Sequence, residues 1–214
     1  MTPIQPMAGA QARAATAPVR IGVLGCGTVG SEVIRLLGER AEDFALRSGA
    51  DLELTGIAVR DLETPRGPHV DPALLTTDAR AVATNADIVI ELIGGINPAR
   101  ELVLAALATG ATVVTGNKAL LAAHGPELFD AAAASGADLY YEAAVAGAVP
   151  VVYALRESLA GDTVTRVLGI VNGTTNYILD EMATKGLSFD TVLATAQELG
   201  FAEADPTADV DDQI

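Results

Sequence analysis

The amino-acid sequence predicts an α/β protein: a doubly wound parallel sheet followed by a smaller, incomplete α+β region. Three observations carry that reading. Apolar runs with strand character alternate five times with stretches of helical period, the order expected of a parallel sheet covered on both faces. A glycine-rich turn, Gly25-Cys26-Gly27-Thr28-Val29-Gly30, joins the first run to the first helix. The 214-residue chain is 50% hydrophobic yet only 4% aromatic and lacks Trp, so its core is built from Ala, Val, Leu and Ile, which suits helices packed on buried strands.

The elements follow in order. Residues 1–18 are rich in Ala, Pro and Gln and read as a mobile tail, without the basic start and apolar stretch of a secretory signal. Val19–Leu24 is the first strand. Residues 31–46 place Val33, Ile34, Leu36, Leu37 and Phe44 on one face and predict a single helix. Residues 52–59 form the second strand, ending at Arg60. Residues 61–86 hold three prolines and read as irregular, with a short helix near Ala79. Residues 87–93 are a strand closed by Gly94-Gly95, and 98–109 a helix with Pro98 in its first turn and Gly110 at its end. A strand at 111–115, helical material at 119–135 interrupted near Gly125-Pro126, and a strand at 138–143 complete a first domain over residues 19–143. From residue 144 the pattern changes: a helix over 149–159, a strand over 163–171, a polar turn at 172–176, and helices over 177–184 and 189–199 before an acidic end. One strand and a few helices are too little to close a second core, so we expect residues 144–214 to be the start of a longer domain.

Charge and rare residues exclude several functions. Lys and Arg total 13 against 28 Asp and Glu, a formal charge of −15, which disfavours nucleic acid and anionic membrane surfaces as partners. A single cysteine, Cys26, excludes an internal disulfide, and two histidines, His69 and His124, share no metal-ligand spacing. No apolar run reaches the length of a membrane span. The cytoplasm is the expected location.

The candidate site residues begin with the glycine turn. In its strand-to-helix context Gly25 permits a tight turn, Gly27 lets backbone approach a pyrophosphate, and Gly30 lets helix and strand pack closely. The helix N-terminus, with Thr28 and Val29, then offers free N–H groups and a favourable dipole to phosphates, the Rossmann-like form of the doubly wound fold. A strand-to-helix turn without a ligand is the bland alternative. Cys26 reads as a small side chain beside a dinucleotide rather than as a reactive thiol. Arg60, at the second strand's end, suits the 2′-phosphate of NADP, whereas neighbouring Asp61 would suit the ribose hydroxyls of NAD. Of two lysines, Lys185 reads as a helix-end charge, and Lys118, beyond the fourth strand, as a contact to substrate or nicotinamide. Residues 142–150 are small and apolar with one carboxylate; they read as an interdomain hinge, or as a loop whose carbonyls suit a hard monovalent cation. Glu203, Asp205, Asp209, Asp211 and Asp212 form a solvated acidic loop or a site for an ammonium group, and their spacing fits no EF-hand.

The stretches GVLGCGTVG, ELIGG, TGNKALLA, YEAAVAGAVPVV, GIVNGTTNYIL and AQELGFAEADPTADV, in that order over residues 19–210, resemble the homoserine dehydrogenase family. The resemblance implies reduction of L-aspartate 4-semialdehyde to L-homoserine on the way to threonine and methionine, with NADP as cofactor and NAD as the alternative. It implies that Gly25, Gly27, Thr28, Val29, Gly30, Arg60 and Lys118 bind the cofactor, with Lys118 also catalytic. Thr174, Glu203 and Asp209 would bind substrate. Glu142, Val145, Gly147 and Val149 would hold a sodium-type cation, mostly through backbone oxygens. The later region would be a substrate and dimerisation domain, making the intact protein a homodimer. The family also carries an aspartate and a catalytic lysine after the segment matching Asp209, so we expect residues 1–214 alone to be inactive. The rivals are another semialdehyde or dihydrodipicolinate-type reductase, against which NGTTNY and the acidic end speak, and a nucleotide-binding or sensing module without catalysis.

Overall fold

The computed structural model describes residues 17–169, 173–199 and 201. Those up to Ser158 form one compact unit and those from Leu159 a second. In the first, β1 (Val19–Leu24), β2 (Leu52–Ala58), β3 (Leu75–Thr76), β4 (Ile88–Glu91), β5 (Thr112–Thr115) and β6 (Leu139–Tyr140) make one six-stranded sheet in the order β3-β2-β1-β4-β5-β6. Every pairing is parallel. The order reverses between β1 and β4, which opens a crevice at their carboxyl ends.

Side-chain alternation along the strands builds two cores. Ile21, Val23 and Ile57 face one side and meet Ile34 of helix α1 (Thr28–Glu39). Leu24, Val89 and Val113 face the other, against helices α3 (Ala79–Thr84), α4 (Ala99–Ala108) and α5 (Lys118–Ser135). Helix α2 (Ala41–Ser48) follows α1 after a break at Arg40 (φ −114°, ψ 21°), so the single helix expected over 31–46 is two. Gly38, with its low helix propensity, stands two residues before that break. The irregular stretch holds the expected short helix, but also the two-residue strand β3, too short to carry a periodic signal. Helix α5 runs without interruption through Gly125-Pro126, because Leu120, Leu128 and Ala132 anchor both flanks in the core.

After β6 a loop leads to the short helix α6 (Val151–Tyr153), which widens into a π-helical turn at Ala154–Ser158. In the second unit, helices α7 (Gly173–Lys185) and α8 (Phe189–Glu198) bury Ile178, Val192 and Ala196. Residues 163–169, expected as a strand, carry no strand: among the described residues they find no partner, and an isolated strand leaves its N–H and C=O groups unpaired. Gly173–Asn176, expected as a turn, form the first turn of α7. No helix among the described residues is long and apolar enough to cross a membrane.

Candidate functional site

The glycine turn closes β1 onto α1. Gly25 takes a positive φ of 100°, and a Cβ there would lie 2.7 Å from the Leu92 carbonyl oxygen. A Cβ on Gly30 would overlap the Gly25 carbonyl oxygen, so α1 can start this close to β1 only with glycine. Gly27 differs: a Cβ there meets nothing within 4 Å. Nothing in the fold demands glycine at the N-cap of α1, where no side chain caps the first N–H groups. That open cradle fits a phosphate approaching the helix N-terminus.

A cavity of about 510 Å³ lies against this turn. Gly25, Cys26, Gly27, Arg60, Asp61 and Arg66 are among its lining residues. The structure thus brings Gly25, Gly27 and Arg60 together as the sequence implied, with Thr28, Val29 and Gly30 in the first turn of α1 beside them. Cys26 is half-buried and packs beside the α1-side core.

Arg66 was not legible in the sequence, where Pro65-Arg66-Gly67 looks like any surface turn. Its guanidinium donates to the Thr64 and Asp61 carbonyls, both at 2.8 Å, and its Nε is buried without a partner. The Asp61 carboxylate is occupied by its own turn, accepting from Thr64 Oγ1 at 2.6 Å and from the Glu63 N–H at 2.9 Å. The Thr64 hydroxyl, followed by that N–H, holds this carboxyl below the usual aspartate range.

Beyond β4 and β5 a second group of residues assembles. Lys118 is exposed as the first residue of α5, and Asn117 caps that helix by accepting from the Leu120 N–H at 3.0 Å. Lys118 is not among the residues lining the glycine-turn cavity. Behind it Glu91 is fully buried, another residue the sequence reading passed over, because a single carboxylate in DIVIELI looks like the end of an apolar strand.

Residues 142–149 turn through Ala146 and Gly147, both left-handed at φ 58° and 57°. The Glu142 carboxylate accepts from the N–H groups of Val152 at 2.9 Å and Tyr153 at 2.7 Å, and so caps α6. Val145, Gly147 and Val149 are exposed beside it. This oxygen-only donor set, one carboxylate and backbone carbonyls with second lone pairs, fits a hard cation. No cluster of three His, Cys, Asp or Glu occurs among the described residues. In the second unit, Thr174 donates to the Phe201 carbonyl at 2.6 Å and lines a recess of about 330 Å³ with Gly173, Tyr177 and Phe201. Glu203 and Asp209 lie outside the described residues.

Comparison with known proteins agrees with this architecture. The family model described as "Homoserine dehydrogenase, NAD binding domain" matches residues 25–142, and "Homoserine dehydrogenase" matches 150–213. The chain is 58% identical to the homoserine dehydrogenase of Corynebacterium glutamicum over 90% of its own length and 44% of the relative's. It is 54% identical to that of Mycobacterium tuberculosis over 91% of its length and 44% of the relative's. It thus spans about half the length of the curated relatives it matches. The crystal structure of a homoserine dehydrogenase from Thiobacillus denitrificans superposes with a TM-score of 0.80 at 47% identity, covering 90% of this chain and 45% of that one. A hyperthermophilic archaeal homoserine dehydrogenase in complex with NADPH superposes with a TM-score of 0.76 at 26% identity, covering 91% and 65%. With its parallel sheet, glycine turn and two matched family models in sequence order, the chain belongs to the homoserine dehydrogenase family.

Proposed function

We propose that the chain forms the cofactor-binding part, and the start of the substrate-binding part, of an NADP-dependent oxidoreductase that interconverts L-aspartate 4-semialdehyde and L-homoserine. The observation that supports the cofactor choice is that Arg60 and Arg66 both line the glycine-turn cavity, beside an Asp61 carboxylate that already accepts two hydrogen bonds from its own turn. Arg60 is the cation suited to the 2′-phosphate, with Arg66 adding positive charge while it closes its own turn; an occupied carboxylate is less suited to ribose hydroxyls. The two arginines also give a protein of charge −15 a local means of holding an anion.

NADPH supplies the hydride when bound. Gly25, Gly27 and Gly30 with the first turn of α1, including Thr28 and Val29, receive the pyrophosphate. Lys118 places a positive charge near the nicotinamide and the aldehyde oxygen as it becomes the alcohol. Glu203 and Asp209 pair with the substrate ammonium, and Thr174 borders the same site. An acidic pocket of this kind rejects aldehydes without the amine, whose absence leaves carboxylates unpaired. Glu142, Val145, Gly147 and Val149 hold a sodium-type cation. Residues 19–143 serve as the cofactor domain and 144–214 as the start of the substrate and dimerisation domain of a cytoplasmic homodimer.

Titration with NADPH and NADH, followed by nicotinamide fluorescence, tests the reading. Saturable binding tighter for NADPH is expected. Absence of saturable binding would overturn it. Binding without aspartate-semialdehyde reduction by the full-length protein would assign a nucleotide-binding module instead.

A further inference from the structure

Glu91 is the last residue of β4 and stands in register with Leu24, the last residue of β1, on one side and Thr115, the last of β5, on the other. Its side chain is completely buried at the sheet's carboxyl edge and faces only donors. Oε1 accepts from the N–H groups of Ile93 at 2.9 Å and Gly94 at 3.4 Å, and from Asn117 Nδ2 at 3.4 Å. Oε2 accepts from the Thr115 hydroxyl at 2.5 Å. The same hydroxyl oxygen accepts from the Asn117 N–H at 3.1 Å. Asn117 Nδ2 also reaches the Gly95 carbonyl at 2.6 Å. One carboxylate therefore ties the turn after β4, with its two left-handed glycines Gly94 and Gly95, to the turn after β5 that launches α5 and Lys118.

A burial so complete is costly unless every lone pair is used, and replacing the carboxylate by an apolar group strands several N–H donors. Both tied turns lie on the β4–β5 side of the strand-order reversal. The glycine turn and Arg60 lie on the β1–β2 side. A dinucleotide spans that reversal with one nucleotide on each side, so the two halves of the ligand are held by separate groups. Resting on the proposed function above, we infer that Glu91 is a positioning residue for the nicotinamide half of the cofactor. It acts through Thr115 and Asn117 on the loop between Ile93 and Gly95 and on Lys118, and it leaves the adenosine half untouched.

The test dissects the ligand and needs no turnover. Binding of NADPH and of 2′,5′-ADP, which carries only the adenosine half, is measured by calorimetry for the wild-type chain and for Glu91→Leu, Glu91→Gln and Thr115→Val. The expected result is a loss of NADPH affinity of about tenfold or more in Glu91→Leu, with 2′,5′-ADP affinity retained. Glu91→Gln keeps the Oε1 acceptor for Ile93, Gly94 and Asn117 but turns an N–H donor onto the Thr115 hydroxyl, so it should also weaken NADPH selectively, by less than Glu91→Leu. Thr115→Val, a near-isosteric change, should weaken NADPH selectively as well, and carries the test by itself if Glu91→Leu does not fold. Equal losses for both ligands would reduce Glu91 to a general structural role and overturn the inference, as would unchanged NADPH binding. A wild-type chain that binds neither ligand would overturn the functional reading and this inference with it; wild-type binding of both with no selective loss in the variants would overturn the inference alone.

Discussion

Arg20 and Asp87 clasp β1 to the approach of β4 at the amino edge of the sheet. The Asp87 carboxylate accepts from the Arg20 backbone N–H at 2.8 Å, from Nε at 3.0 Å and from Nη2 at 2.7 Å. In return the Asp87 N–H donates to the Arg20 carbonyl at 2.9 Å. The clasp sits at the opposite edge from the glycine turn, so it serves the sheet and not the ligand.

The clasp has a pH signature. Its side-chain hydrogen bond, then the backbone one, hold the Asp87 carboxyl down at about 2. A free aspartate titrates near about 3.9, so the contribution to stability is fully present above that value and is lost as the pH falls towards about 2. Both side chains are about half exposed, so the effect is small and screened by salt. Asp87→Asn should lower the urea midpoint slightly at neutral pH and low salt, and the difference from wild type should fade between about pH 4 and pH 2. A difference that persists undiminished in acid would show that packing, not charge, is what Asp87 supplies.

Arg60 is exposed at the end of β2 and lines the glycine-turn cavity. Under the proposed function, Arg60→Ala should weaken NADPH binding by roughly tenfold to a hundredfold, the worth of one charge-assisted contact, and leave NADH nearly unchanged. Arg66 already holds two carbonyls of its own turn, so its removal should also loosen residues 61–66. Fluorescence titration of both cofactors separates these outcomes, and parallel losses for NADPH and NADH would withdraw the 2′-phosphate role from Arg60.

The glycines of the turn make opposite predictions. Gly30→Ala forces a methyl group into the Gly25 carbonyl oxygen, so α1 must move off β1 and the thermal midpoint should fall by several degrees. Gly27→Ala meets open space, so stability should hold or rise slightly, because alanine narrows the unfolded ensemble. Dinucleotide affinity should nevertheless drop at Gly27→Ala, since the methyl group occupies the phosphate's approach. A Gly27→Ala protein that binds NADPH as well as wild type would place the phosphates elsewhere.

Most of the sheet was legible because its strands are buried on both faces and read as continuous apolar runs between turn signals. Val19–Leu24 shows this most plainly: its strand and the glycine turn after it lie where the sequence puts them. What escaped has local causes. The pairing of β3 spans only Leu75 and Thr76, held by neighbours in β2 rather than by any pattern of their own. Residues 163–169 have the composition of the expected strand, yet find no partner among the described residues, and composition does not supply one. Within the site, the glycine turn and Arg60 stand at element boundaries, where sequence is informative. Glu91 and Arg66 carry no such signal: one ends β4 but works through burial, the other through a turn closed by carbonyls of its own segment, and both become visible only in three dimensions. The expectations for Glu203 and Asp209 concern residues outside those described.

Pro126 offers a last test, because the sequence suggested a break there and α5 is continuous. A proline inside a helix has no N–H for the carbonyl one turn back, that of Ala122, and its ring crowds that carbonyl. The helix persists because both sides are fastened independently. Leu120 is buried before the proline and Leu128 after it, and Glu127 accepts from Arg100 Nε of α4 at 2.7 Å, a bond that also holds the Glu127 carboxyl below its ordinary range. Pro126 itself is exposed, so replacing it disturbs no packing. Pro126→Ala should therefore return one backbone hydrogen bond and stabilise the protein by about 1–3 kcal/mol. For a chain of this size that raises the thermal midpoint by several degrees, measured by far-UV circular dichroism. NADPH affinity should not change, since Pro126 lies two turns along α5 from Lys118. A midpoint that falls instead would show that the proline sets a bend the α4–α5 packing requires.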